Sequence, residues 1–236
     1  MSVRSASIAL SILVTALIVA LLVAQVEWPG RLADCVLAGT CDCETVGLDG
    51  IRQPINAFSS LGFFVAGALV LVQATRSHLR VFGAALLTAG IASFVGHAAV
   101  RDWSHTFDSL GVKAVVLFLV IYPLTRTRNV IAPYTAGLLL IWAAELAWPS
   151  TARPLLILLT TAAIVINLSS PASRASRSMR LGMVGLVAAA VAWWLGRSAS
   201  FLCEPDSLWQ PHALWHLLAA GALGVIYQHY QAAEQR

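Results

Sequence analysis

Stretches of roughly 17 to 22 apolar residues recur from one end of this chain to the other, and each is long enough to cross a ~30 Å hydrocarbon core. About eight can be drawn, near 8–26, 55–75, 81–100, 109–125, 131–148, 154–170, 181–201 and 212–229. A backbone in lipid must satisfy its own hydrogen bonds, so runs of this length read as helices. The short loops between them favour antiparallel packing of neighbours. Of the 236 residues only 11% are charged, against about 25% in an ordinary soluble domain. The expected class is therefore an all-α polytopic membrane protein.

The net charge of +4 does not indicate nucleic acid. Fourteen of the fifteen basic residues are arginines, placed mostly in short loops, which is the pattern of membrane topology. One set of loops holds Arg4, Arg76, Arg80, Arg126, Arg128, Arg174, Arg177, Arg180 and Arg236. The alternate set holds Arg31, Arg52, Arg101, Lys113, Arg153 and Arg197, with most of the acids. The positive-inside rule then predicts both termini in the cytoplasm and the acidic loops outside. Cys35, Cys41, Cys43 and Cys203 fall in those outer loops, where a disulfide is permitted, and their spacing fits no zinc finger. Residues 1–30 read as a signal anchor or extra transmembrane helix, because the run lacks a good cleavage site. Residues 31–54 read as an extracytoplasmic loop rich in cysteine and acid, 55–230 as the helical core, and 231–236 as a cytoplasmic tail.

Ionisable side chains at membrane depth are functional candidates by default. His212 and His216 open the last run, four residues apart and so on one helical face. Ser93 and His97 share a face near the outer end of the third run, and Asp108 follows at the outer start of the fourth. The topology brings these five to one depth, and helices pack about 8–10 Å apart. Three imidazoles with an open position form a common catalytic zinc site. Asp108 would offset the metal's charge and take a proton from water, which zinc acidifies to a pKa of about 7. Ser93 would donate to an oxyanion. The same residues also fit a set of hydrogen-bonded polar pairs between helices, and the pattern alone leaves both open. Haem fits less well, since His212 and His216 on one face cannot be its two axial ligands. His78 and His229 read as interfacial, His105 as a solvated outer-loop residue, and Glu145 as facing water or a neighbouring helix.

Three blocks of sequence resemble the alkaline ceramidase family, within the wider group of seven-helix membrane hydrolases. The first is Cys43-Glu44 followed by Gln53-Pro54-Ile55-Asn56-Ala57-Phe58-Ser59-Ser60. The second is Ser93-x-x-x-His97 with Asp108. The third is Phe201-Leu202-Cys203-Glu204 followed by His212-Ala213-Leu214-Trp215-His216. The resemblance spans roughly residues 41–230 and implies a seven-helix core preceded by one extra N-terminal hydrophobic helix. It implies zinc on His97, His212 and His216, with Asp108 and Ser93 catalytic, and a disulfide between Cys43 and Cys203. The implied reaction is zinc-dependent hydrolysis of the amide of ceramide, or of a related N-acyl lipid. The expected location is a bacterial inner or plasma membrane, and the arginine topology puts the metal on the extracytoplasmic side. The family's calcium site is matched only by Glu44, since Cys41, Val46 and Gln53 stand at its other positions. Asp42 and Asp49 are the candidate substitutes, and the expectation is against a family-like calcium site. Two alternatives remain. One is a zinc hydrolase of a different lipid ester or amide; the other is a non-catalytic seven-helix receptor or structural relative.

Overall fold

A computed structural model describes residues 27–39, 41–125 and 129–235. The first apolar run, 8–26, and the expectation of an N-terminal anchor lie outside these residues. The described chain is helical: α1 (Asp34–Leu37), α2 (Pro54–Ser59), α3 (Leu61–Gln73), α4 (Ser77–Ala99), α5 (Asp102–Thr125), α6 (Ile131–Ala147), α7 (Ala152–Ser169), α8 (Pro171–Ala175), α9 (Arg177–Leu195) and α10 (Pro211–Ala233). Among the described residues there is no strand, only two isolated bridges. Five spans are long and apolar enough to cross a membrane: 54–73, 77–99, 102–125, 149–169 and 177–195. This is consistent with an integral membrane protein. Helix α6 is apolar but shorter, at 17 residues. Helix α10 has 23 residues and carries the histidine pair.

Local chemistry sets the boundaries. Proline occupies the first turn of α2, α8 and α10, where its missing N–H is no loss. The Ser176 hydroxyl caps α9 by accepting from the Met179 amide. Helix α4 ends at Val100, whose φ of 47° lies in the left-handed region, costly for a β-branched residue. That turn lets α5 start two residues later and run back along α4.

Helix α4 packs between α3 and α5, α5 carries α6 and α7, and α9 pairs with α10, which returns to α2 and α3. Leu79, Phe82, Leu86, Phe118, Met179 and Ile226 fill the centre, with Phe82 stacked on Phe118 at 4.9 Å. The outward faces of α6, α7 and α9 expose Leu139, Leu140, Ile157, Leu158, Val184 and Val187, as helices meeting lipid do.

Several polar placements differ from the sequence expectation. Lys113 lies inside α5 rather than in a loop, its ammonium 2.6 Å from Glu145 Oε1 on α6 and bonded to the Ser109 hydroxyl. Both side chains are buried, so Glu145 faces a neighbouring helix and not water. Desolvation makes either charge untenable alone, and that is why they pair. His105 is on the first turns of α5, with Nε2 3.6 Å from the Cys35 sulfur. At the other end α10 runs past residue 230, and Glu234 is held by Tyr122 at 2.9 Å and His78 at 3.2 Å. The helix extends to Ala233, and His78 is buried against its end.

Replacing Lys113→Met is expected to destabilise the protein by about 3–5 kcal/mol by stranding the Glu145 carboxylate. Adding Glu145→Leu should recover most of that loss, as read by thermal unfolding in detergent.

Candidate metal centre

His97, His212 and His216 converge from the C-terminal end of α4 and the N-terminal turns of α10. All three are buried, with ring centroids 4.8–5.2 Å apart. One ring nitrogen from each lies within 4.8 Å of the others. Nε2 of His97 and Nε2 of His212 are 3.2 Å apart, and the Ser93 hydroxyl is 3.1 Å from Nε2 of His216.

The far nitrogens reveal the tautomers. Nδ1 of His97 is 2.8 Å from Gln53 Oε1, and the Gln53 amide nitrogen donates to the Glu44 carbonyl at 3.0 Å. That second bond orients the amide, so its oxygen accepts from His97. Nδ1 of His216 is 2.7 Å from the Ser59 hydroxyl, which donates its own proton to the Asn56 carbonyl at 2.8 Å. Ser59 must therefore accept from His216. Nδ1 of His212 lies 3.0 Å from Asp42 Oδ1, at ion-pair distance though off the line of a well-formed hydrogen bond. A carboxylate only accepts. The neutral rings of His97 and His216 thus carry their protons on Nδ1 and turn Nε2 inward, where Nε2 of His212 lies within hydrogen-bond distance of Nε2 of His97. Such a donor set fits a divalent cation such as zinc, with each ligand oriented by an outer partner.

The loop over residues 27–53 delivers two of those partners. Its backbone is stitched to the end of α4, where Arg52 and Gln53 amides donate to Ala98 and His97 carbonyls at 3.1 Å. The Cys43 amide donates to Gly196 at 2.8 Å, and the Ser198 amide donates to Cys41 at 3.1 Å. Glu44 is buried and accepts from the Ile55 and Asn56 amides at 2.7 and 2.8 Å, capping α2, which presents Ser59.

Two glycines let the parts approach. A Cβ on Gly96 would meet the Asp108 side chain at 2.8 Å, so Asp108 lies against the backbone beside His97. A Cβ on Gly196 would stand 2.6 Å from the His212 amide nitrogen. Asp108 faces Ser93 on α4, and its Oδ1 is buried with no hydrogen-bond partner among the described residues.

The five residues singled out from sequence are therefore neighbours. The three calcium candidates are not: Asp42 is turned to His212, Glu44 is spent on two backbone amides, and Asp49 is exposed. Among the described residues Cys43 is bonded to Cys203 and Cys35 to Cys41. Cys35, Cys41 and His105 also bring donor atoms within 4.8 Å, but the disulfide consumes both thiolates. Gln53, Ser59 and the role of Asp42 were missed from sequence. The only available signal was their place in the blocks around Cys43 and Pro54.

No protein-family model matches the chain, and no curated protein is significantly similar to it.

Gly196→Ala is expected to displace His212 and weaken zinc binding by at least ~10-fold. Gly221→Ala, which meets nothing within 4 Å, should bind as the parent does, both read by chelator competition. Mass spectrometry without reduction should find Cys35–Cys41 and Cys43–Cys203 peptides and no free thiol.

Proposed function

We propose that this protein is a zinc-dependent membrane hydrolase that cleaves the amide bond of ceramide or a related N-acyl lipid into an amine and a fatty acid. The observation that carries this reading is the trio of buried imidazoles with ring nitrogens converging on one point, bordered by Ser93 and an Asp108 carboxylate oxygen that has no hydrogen-bond partner among the described residues. His97, His212 and His216 would hold the metal, and a zinc ion there would supply a Lewis acid able to make water nucleophilic near neutral pH. Asp108 takes a proton from the attacking water and returns it to the leaving amine. Ser93 donates its hydroxyl proton to the oxygen on which negative charge develops. The site lies at one end of apolar helices, so a substrate with long chains reaches it from the bilayer.

The choice of a sphingoid amide rests on the resemblance of the three sequence blocks to alkaline ceramidases. The same resemblance supports a core of seven spans, in which α2 and α3 form one span and α6 and α10 also cross, preceded by an N-terminal hydrophobic helix. The arginine distribution supports cytoplasmic termini and a site on the extracytoplasmic side of the membrane. Gln53 and Asp42 serve as histidine partners here, where the family's pattern has calcium ligands or their neighbours. That departure favours keeping a second reading, hydrolysis of a different lipid amide or ester on the same centre.

Purified protein incubated with a panel of ceramides, N-acyl amines and acyl esters is expected to release fatty acid from ceramide, to lose activity with a chelator, and to regain it with zinc. His212→Ala and Asp108→Ala should abolish turnover while the protein still inserts, and Ser93→Ala should lower kcat ~10²–10³-fold. Release from an ester alone would establish the second reading, and full activity in Asp108→Ala would refute the mechanism.

A further inference from the structure

The three ligand histidines have unequal partners. Gln53 and Ser59 offer His97 and His216 neutral oxygens, whereas Asp42 gives His212 an anion. Gln53 and Ser59 come from the start of α2 and from its last turn. Asp42 comes from an irregular loop, where a side chain has little local structure to hold it. Both of its sequence neighbours are cross-linked: Cys41 to Cys35, and Cys43 to Cys203 in the loop before α10. The backbone is pinned at the same place, with Asp42 bridged to Arg197 and Cys43 bonded to Gly196, the glycine beneath His212.

We propose that Asp42 is the charged positioning residue of His212, and that the cystines on either side of it hold it there, so that metal retention depends on both. The inference rests on the metal reading above and adds a partner and a dependence to it. A carboxylate behind an imidazole fixes its tautomer and makes its other nitrogen a stronger donor. It also places negative charge next to a dication in a poorly solvated site, where His97 and His216 contribute none. The Cys35–Cys41 bond joins residues six apart and anchors the residue immediately before Asp42. The Cys43–Cys203 bond fastens that short segment to the loop leading into the His212 helix.

The test uses the full chain in detergent, stripped of metal and titrated with zinc against a chromophoric chelator, and separately with cobalt to read the visible absorption of the bound ion. Wild type is expected to bind one zinc. Asp42→Asn should weaken binding about 10–100-fold and change the cobalt spectrum, and Asp42→Glu should restore part of the affinity. The double variant Cys35→Ser with Cys41→Ser should fall between wild type and Asp42→Asn. Wild-type affinity and an unchanged cobalt spectrum in Asp42→Asn would overturn the role of the carboxylate. Wild-type affinity in the double cysteine variant would overturn the role of the cystine. A metal-free Asp42→Asn protein that already melts far below metal-free wild type would assign Asp42 a structural role instead. A wild-type protein that binds no zinc would remove the metal reading itself, a result separable from all of these.

Discussion

Burying three imidazoles at one end of an apolar bundle is tolerable because each has an oxygen behind it. Without Gln53, Ser59 and Asp42, the Nδ1 atoms would be stranded polar groups in a poorly solvated interior, each costing about 1–3 kcal/mol. With them, the rings of His97 and His216 are held in one tautomer and one orientation, with Nε2 turned inward. Nε2 of His97 and Nε2 of His212 come within 3.2 Å, a separation that suits a shared proton or a shared cation.

The same requirement explains the architecture around the site. A helix brings a histidine to the right depth but leaves the back of the ring facing whatever lies beyond the helix end. Here the cover is the loop before α2, and it is fastened at three places: backbone bonds to the end of α4, backbone pairing with residues 196–198, and the Cys43–Cys203 disulfide. Glu44 contributes by capping α2, which sets the position from which Ser59 reaches His216. Along α5 from Asp108, the Lys113–Glu145 pair plays a comparable role for α6, a short helix that packs mainly on α5.

The five site residues were legible in the sequence because their spacing is local. An interval of four residues puts His212 above His216 and Ser93 above His97, and the alternation of apolar runs puts both pairs and Asp108 at one end. Gln53 was legible only as a mismatch with a calcium-binding pattern, and Asp42 only as a stray acid. Their use as histidine partners depends on where an irregular loop lies, which no periodicity encodes. Lys113 was read as a loop residue because it falls early in an apolar run; its partner Glu145 is on another helix, invisible to any single-segment reading.

What the sequence determined by itself is the class of the molecule and the helical face that its histidines share. Length and hydropathy leave a membrane helix no alternative, and a helical interval is a property of a few adjacent residues. What the tertiary structure decided is the environment of those histidines: which oxygen stands behind each ring, which cysteines join, and which buried charges meet. Those contacts link residues 44 and 157 apart for Gln53–His97 and Ser59–His216, and 160 apart for Cys43–Cys203. They are set by how each helix is rotated against the next and by the path of one loop, quantities that exist only once the chain has packed.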